Sequence, residues 1–223
     1  MLEGPYRAVL DTFNIPDERF CAVDPGRDYL LDEAYIVSFL DQNKLFPETI
    51  HAFADHLLSA WNVFDEPETV GVFASRQAIA APRRRIHNFE AIEPILTEAG
   101  LQVVDCGSLP APEQARLFRA ARVVVGGHGS DLSNVLFCRP GTKVLVFESQ
   151  FSVDTTRHLG LKSLCEVLDL DYQVVIVPTE GELPPDADIF DWKNPEIHTW
   201  ISRDYRIDPH DLAELLKKTI QSL

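Results

Sequence analysis

The residues with the clearest capacity for chemistry form a glycine-rich turn, residues 126–129 (GGHG), directly after a run of three valines. Glycines let a ligand approach the backbone closely, and the unpaired N–H groups that open a following helix attract an anion such as a diphosphate. Ser130 and Ser133 stand beside those N–H groups. The turn therefore predicts an anion site, while a tight corner that binds nothing is the alternative.

His128 adds a polar, titratable side chain to this turn. It follows a predicted buried strand, and open α/β sheets hold their ligands at the carboxyl ends of their strands. Ser75 and Arg76 follow another predicted strand, and Glu148 ends a third. A single histidine is more often structural than catalytic, but four polar residues predicted at one rim favour a functional site.

Arginines are concentrated in one part of the chain. Seven of them and no lysine fall between residues 76 and 122. Because the planar guanidinium suits phosphate and carboxylate recognition, this pattern predicts a local anion site. The whole chain has 20 Lys and Arg against 35 Asp and Glu, a formal charge of -15, so we expect no nucleic-acid binding. For Arg83, Arg116 and Arg119 a solvated surface position is an equal alternative.

Regular alternation of strands and helices must position these residues. From Val70 onward, short β-branched runs alternate with amphipathic stretches, which predicts an α/β domain with a doubly wound, mostly parallel, Rossmann-like sheet. The predicted strands are 70–74, 101–105, 123–125, 144–147 and 172–177, and the predicted helices are 88–99, 111–121, 130–138, 158–168 and 208–221.

The first 65 residues have the character of an incomplete domain, because they contain no glycine-rich phosphate turn of their own. Their pattern predicts helices at 5–13 and 47–61 and strands around 19–22 and 33–38. A polar, proline-containing stretch at 65–68 is a plausible joint between domains. Residues 178–195 are acidic and proline-rich, which predicts a surface loop.

Cysteine usage and hydropathy indicate the compartment. Cys21, Cys106, Cys138 and Cys165 are widely spaced and form no CxxC pair, which predicts reduced thiols and no zinc site. No stretch resembles a signal peptide, and none is long and apolar enough to span a bilayer. We therefore expect a cytoplasmic protein that does not span a membrane.

Several motifs, in order, resemble the carboxyl-terminal domain of family 61 glycosyltransferases, a group with many bacterial capsular-polysaccharide-type enzymes. They read SRQAIAAPRRRIHNFEAI, then PEQARLF, then ARVVVGGHGSDLSNVLFCRPGTKVLVFE. The resemblance covers residues 68–150 well and the rest weakly. It implies a GT-B-like arrangement, with a nucleotide-sugar donor domain at 66–223 and a partial acceptor-side region at 1–65.

The activity that this resemblance implies is inverting, metal-independent transfer of a sugar from a nucleotide-sugar, expected to be a UDP-sugar, to a glycan or other hydroxyl acceptor. The leaving nucleoside diphosphate gains negative charge, which arginines and helix-end N–H groups can stabilise in place of a cation. No cofactor and no metal are therefore expected. A base must also take the acceptor proton, and the resemblance assigns none.

Carried over residue by residue, the resemblance places Arg76 and either Arg84 or Arg85 at the diphosphate, with the backbone from Gly127 to Ser130 around it. His128, the candidate catalytic residue, would lie against the phosphates or the sugar, and Glu148 would face the ribose hydroxyls. The predicted donor-binding residues are Ser75, Arg76, Arg84, Arg85, Asn88, Glu113, Gln114, Gly127, His128, Gly129, Ser130, Ser133, Asn134 and Glu148.

Three of these predicted residues have equally good local interpretations. Asn88 fits the cap of the helix that follows it, and Asn134 fits a tie within the turn. Glu113 could bond the start of its helix or meet an arginine across the rim.

Two departures from the family pattern matter. Where the family reads H-G-A-G, this chain continues with Ser130 and Asp131, so a carboxylate stands near the predicted phosphates. Residues 1–65 also lack the family's H-W segment, which indicates a shortened form. The alternative function is therefore a truncated nucleotide-sugar-binding module, inactive alone, which acts through a partner or a homodimer that covers apolar surface along helix 47–61.

Other enzyme classes fit less well. A dinucleotide-binding GxGxxG would need a third glycine where Leu132 stands, and Ser130 lacks the GxSxG elbow of a hydrolase. The DLD at 169–171 and the DAD at 186–188 resemble metal-binding DxD motifs, but such triplets arise easily in an acidic chain.

Overall fold

Five short, valine-rich runs form strands that pair side by side in parallel. The computed structural model describes residues 5–19, 24, 26–28, 30, 45–78, 84–154, 159–179 and 203–223. Within these residues lies one sheet, with the strand order β2-β1-β3-β4-β5. The strands are β1 (Thr69–Ala74), β2 (Leu101–Val104), β3 (Ala121–Gly127), β4 (Lys143–Glu148) and β5 (Asp171–Ile176).

Helices connect the strands and cover both faces of the sheet. The predicted doubly wound α/β fold is thereby confirmed, although the segment after the glycine turn is a 3₁₀ helix and a short helix after β4 was not predicted. The α-helices are α1 (Pro5–Thr12), α2 (Pro47–Ala60), α3 (Phe89–Glu98), α4 (Ala111–Ala120), α5 (Gln150–Asp154), α6 (Leu159–Val167) and α7 (Pro209–Gln221), and 3₁₀ helices cover Asp17–Arg19, Cys106–Ser108 and Ser130–Phe137.

The core has two halves, one on each face of the sheet. Successive side chains of a strand point to opposite faces, so Val124 and Val125 enter different halves. Val124 packs with Phe118 of α4, on the face that α2, α6 and the 3₁₀ helix Ser130–Phe137 also cover. Val125 packs with Leu96 of α3 and Leu216 of α7. Burial on both faces explains why β3 and β4 are nearly continuous apolar runs.

Helix α2 packs onto the same core as the sheet. Leu57 and Leu58 are buried in the cluster that contains Phe118 and Val135, so this helix is a layer of the α/β unit. The proposed division at residue 65 stays a prediction. Two strands were predicted in this region, and the one at 33–38 lies outside the described residues. Of the one at 19–22, positions 20–22 also lie outside them, and Arg19 ends a 3₁₀ helix instead.

The strand order creates a crevice at one place. After β1 the chain crosses to β2 on one side and then returns to β3 on the other side of β1. Such a reversal opens a gap at the carboxyl ends of the two central strands, where α/β proteins bind ligands. The register pairs Ala74 with Gly126 and Gly127 with Phe147, so the residues that follow β1 and β3 emerge side by side.

Gly71 is required by the close pairing of β1 with β3. A Cβ at this position would overlap the carbonyl oxygen of Val123 and lie 2.8 Å from its carbonyl carbon. We expect Gly71→Ala to lower the free energy of unfolding by about 2 kcal/mol or more, because backbone atoms cannot yield as side chains do. Urea unfolding followed by circular dichroism measures this change.

Gly107→Ala is the matched control, because the nearest atom to its added Cβ is a carboxylate oxygen of Asp105 at 3.4 Å. This variant should stay within about 0.5 kcal/mol of the wild type. Equal unfolding midpoints for the two variants would contradict the close packing of Gly71.

Candidate functional site

The glycine turn lies under two side chains of the protein itself. A Cβ on Gly127 would come within 2.9 Å of the Tyr205 ring, and a Cβ on Gly129 would overlap the guanidinium of Arg76. The backbone of Arg84 is also close, since its carbonyl oxygen would lie 3.5 Å from a Cβ added at Gly127. The absence of Cβ atoms at both glycines therefore admits an aromatic ring and a cation to the turn.

Arg76 forms an ion pair with Asp131, the second residue of the 3₁₀ helix. The two side chains are 9% and 16% exposed, so the pair is largely removed from solvent. A shielded guanidinium–carboxylate contact is stronger than the same contact on an open surface. The carboxylate that departs from the family pattern thus binds the arginine that was predicted to hold the diphosphate.

His128 and Glu148 form the second pair at this rim. Nδ1 of His128 lies 2.5 Å from Oε1 of Glu148, and the side chains are 24% and 1% exposed. The distance is that of an ion pair, but the angles are not those of a hydrogen bond, and within the described residues neither atom has a hydrogen-bond partner. A direct ribose contact by Glu148 stays a prediction, and such a contact would require its buried oxygens to become accessible.

Tyr205 was not predicted as a site residue, yet it closes the rim above Gly127. Its backbone forms isolated β-bridges with Ile86 and with Thr179, and the residue is only 2% exposed. Burial raises the pKa of its hydroxyl, with the Glu148 carboxylate adding to the shift. No sequence motif indicated this residue, because it lies about 80 positions after the turn that it covers.

Arg84 and Arg85 approach the turn from the loop before α3. Arg84 adopts a left-handed conformation with φ of 56°. Arg85 is held through its backbone, since its N–H donates to Oδ1 of Asp204 at 2.9 Å and its carbonyl accepts from Tyr205 at 2.7 Å. Both predicted arginines therefore lie at the rim, whereas Arg83 lies outside the described residues.

Gln114 and Asn134 have structural contacts. Asn134 Nδ2 donates to Oε1 of Gln114 at 2.7 Å and to the carbonyl of Asp131 at 3.0 Å, while Gln114 Nε2 donates to the carbonyl of Leu109 at 2.9 Å. The bond to Asp131 ties the turn together, as one interpretation of Asn134 predicted, and the bond to Gln114 fastens this 3₁₀ helix to α4. Glu113 is exposed in the first turn of α4.

The serines of the predicted set lie at different depths. Ser75 is buried, and its hydroxyl accepts a long bond of 3.4 Å from the N–H of Gln77. Ser130 and Ser133 are exposed on the 3₁₀ helix, where they are accessible to a ligand.

Asn88 connects the loop before α3 to the segment before α7. Its Nδ2 donates to the carbonyl of Ile207 at 2.6 Å, and its Oδ1 accepts from the N–H of Ile207 at 3.1 Å. The side chain makes no capping bond to α3, so the cap interpretation is wrong and the residue acts as a clamp. It also lines a cavity of about 370 Å³ between β5 and α7, together with Phe147 and Leu212.

The remaining polar and ionisable groups give no sign of a metal centre. No group of three His, Cys, Asp or Glu converges within the described part of the chain. Asp171 of the DLD triplet bonds Lys143 at 3.0 Å where β4 and β5 begin, at the opposite end of the sheet from the candidate site. The DAD triplet at 186–188 lies outside the described residues.

Three of the four cysteines are described, and all three are free and buried. Burial raises the pKa of Cys106 to about 12, with Asp131 and Asp105 adding to the shift, so this thiol beside the site is neutral at physiological pH. Cys21 lies outside the described residues. None of the described helices combines the length and apolar character that a membrane span requires.

A model of a known protein family matches most of this chain. The family model described as "Glycosyltransferase 61" matches residues 9–145, more than half of the chain. The match begins well before residue 68, so the likeness extends further toward the amino terminus than the motifs alone indicated. It includes the glycine turn and Arg76, and it ends shortly before Glu148. No curated protein matches the chain significantly.

Replacing Asn88 with alanine separates its structural role from a ligand contact. The variant loses both bonds to Ile207, so we expect the free energy of unfolding to fall by about 1–3 kcal/mol. Gln102→Ala, at an exposed amide on β2, should change it little. Thermal and urea unfolding measure both variants. If Asn88→Ala were as stable as Gln102→Ala but bound UDP more weakly, the residue would be a ligand contact.

Proposed function

Since this chain belongs to glycosyltransferase family 61, we propose that it transfers a sugar from a UDP-sugar to a hydroxyl of a glycan or another acceptor. The donor diphosphate lies at the carboxyl ends of β1 and β3 in this proposal. The observation that carries it is the convergence of Arg76 and His128 around a glycine turn at the point where the strand order reverses.

The chemistry of this rim suits a leaving group that gains negative charge. As the bond from the anomeric carbon to the phosphate oxygen breaks, the nucleoside diphosphate takes the electron pair. Arg76 supplies a positive charge, and the N–H groups at the start of the 3₁₀ helix supply oriented dipoles. Both stabilise the negative charge that develops on the leaving group. Direct attack by the acceptor from the opposite side gives inversion. We propose that no metal takes part, so turnover should persist in EDTA.

A second candidate function is a binding module that is inactive alone. One observation favours it: Arg76 is already paired with Asp131, so a donor must compete with a carboxylate of the protein. In addition, Phe46, which precedes α2 in sequence, and Phe64, which follows it, are 54% and 49% exposed. In this second function, a partner or a second copy of the chain would cover that region.

Calorimetry with UDP, followed by a UDP-release assay with UDP-glucose, UDP-galactose and UDP-N-acetylglucosamine, separates the two functions. We expect UDP to bind with one site per chain and at least one UDP-sugar to be turned over in the presence of EDTA. Binding without turnover would favour the module. Absence of binding by UDP and by every UDP-sugar would refute both.

The Arg76–Asp131 pair makes a specific prediction about affinity. Asp131→Asn keeps the size of the side chain but removes its charge, so this carboxylate no longer competes with the diphosphate for Arg76. We expect UDP to bind roughly 5-fold more tightly or better, because a nearby like charge is lost. Arg76→Ala should weaken binding about 10- to 100-fold, the usual contribution of a charge-assisted hydrogen bond. Calorimetry at constant ionic strength measures both.

The control for the charge change is Asp55→Asn, an exposed position on α2, which should leave UDP affinity unchanged. In the Arg76→Ala background, Asp131→Asn should give no gain in UDP affinity, because the guanidinium with which Asp131 pairs is missing. Weaker UDP binding by Asp131→Asn would mean that the carboxylate orients Arg76 for the ligand, contrary to the competition expected here.

A further inference from the structure

We propose that His128 is the general base that takes the proton from the attacking hydroxyl, and that Glu148 positions its ring. This assignment deepens the proposed function and rests on it, because it names the group that the transfer reaction requires. His128 would be the catalytic residue, and Glu148 would act through it.

The first step of the argument is the orientation of the imidazole. Nδ1 of His128 is buried and faces Oε1 of Glu148 at 2.5 Å, while 24% of the side chain is exposed. The exposed part therefore belongs to the rest of the side chain, where this proposal places Nε2. A carboxylate beside Nδ1 favours the neutral tautomer with its proton on Nδ1 and leaves the lone pair of Nε2 available.

The second step is the burial of Glu148. Its side chain is 1% exposed, and within the described residues neither oxygen accepts a hydrogen bond. A buried carboxylate without hydrogen bonds lowers stability, and an apolar or neutral side chain of similar size is often better for folding. The chain nevertheless carries this side chain at the end of β4, directly beside the imidazole. A buried side chain that lowers the stability of the fold in this way indicates a functional role for Glu148.

The third step concerns the groups around the pair. Burial raises the pKa of Tyr172, and the Glu148 carboxylate adds to the shift, as it does for Tyr205. Neither phenol donates a hydrogen bond to Glu148, because both oxygens of this side chain lack a hydrogen-bond partner within the described residues. In this proposal Glu148 stabilises the imidazolium that forms when His128 takes a proton.

The reaction step balances as follows. The acceptor oxygen forms a bond to the anomeric carbon while its proton passes to Nε2 of His128. The bond from that carbon to the phosphate oxygen breaks, and the nucleoside diphosphate leaves with the electron pair. Water can replace the acceptor hydroxyl, so the same base assists the slower hydrolysis of a UDP-sugar. Release of the proton to solvent then restores the neutral ring.

The tautomer of His128 can be measured without turnover. Long-range ¹H–¹⁵N NMR of histidine-labelled protein should find the neutral His128 ring protonated on Nδ1, with His128→Gln used to assign its signals. In Glu148→Gln the population should shift toward the Nε2-protonated form, because an amide can donate to Nδ1. A wild-type ring that is protonated on Nε2 would overturn the assignment even if UDP binds.

Kinetics and stability together distinguish positioning from a structural role. His128→Ala should lower kcat for UDP release from the UDP-sugar that the wild type hydrolyses fastest by roughly 100-fold or more, with UDP affinity changed little and partial rescue by added imidazole. Glu148→Gln should lower kcat about 10-fold or more, since the tautomer is lost, while its Tm is unchanged or raised. Glu98→Gln, at an exposed carboxylate, is the control.

The outcomes separate this inference from the function on which it rests. If the wild type binds UDP and releases it from a UDP-sugar, but His128→Ala retains kcat, the base lies elsewhere and only the inference fails. A lower Tm of Glu148→Gln with unchanged kcat would make the pair structural. If neither UDP nor any UDP-sugar binds the wild type, the donor site and the base assignment fail together.

Discussion

The backbone hydrogen bonds between β1 and β3 hold Ala74 beside Gly126, and the geometry of the whole rim depends on this pairing. Two residues beyond each of these positions stand Arg76 and His128. Because the strands run parallel, both side chains emerge at the same edge, next to the gap left by the reversal of strand order. Gly71 maintains the arrangement, since any larger residue there would push the two strands apart.

Arg76 and His128 at the rim each have an acidic partner from the same chain. Arg76 is paired with Asp131 and His128 with Glu148. This arrangement suits a chain with a formal charge of -15, where exposed cations readily find carboxylates. The Arg76–Asp131 pair lies beside Gly129, where the proposed function places an incoming anion, and the buried Glu148 carboxylate faces the imidazole. A ligand that carries phosphates would have to rearrange the first pair and leave the second intact.

The segment before α7 completes the rim from a distant part of the sequence. Tyr205 lies over Gly127, its backbone pairs with the stretch around Ile86, and Asn88 grips Ile207 with two hydrogen bonds. The contacts with Ile86 and Ile207 each join residues about 120 positions apart, and Tyr205 lies about 80 positions after Gly127. The loop that carries the arginines is thereby tied to the carboxyl-terminal part of the chain, so the arginine loop, the glycine turn and Tyr205 form one structure.

Much of the fold was predictable because its signals are local. Buried β-branched runs, the glycine turn and the helix signals placed all five described strands within a few residues, and the motif order indicated the family that the family model then matched. The departure at Asp131 was also visible. The pairing of Asp131 with Arg76 was not visible in the sequence, because Arg76 stands 55 positions earlier. Whether the two side chains meet depends on the crossover between the strands.

The sequence alone thus determined the element order, the parallel sheet and the set of polar residues at its rim, because periodicity and turn chemistry act over a few residues. Only the tertiary structure decided which charges meet, which oxygens are buried and which ring covers the glycine turn. Those outcomes depend on strand register and on the packing of segments distant in the chain. For that reason the sequence did not predict that Glu148 faces His128 or that Tyr205 covers the glycine turn, and a ribose contact by Glu148 stays a prediction.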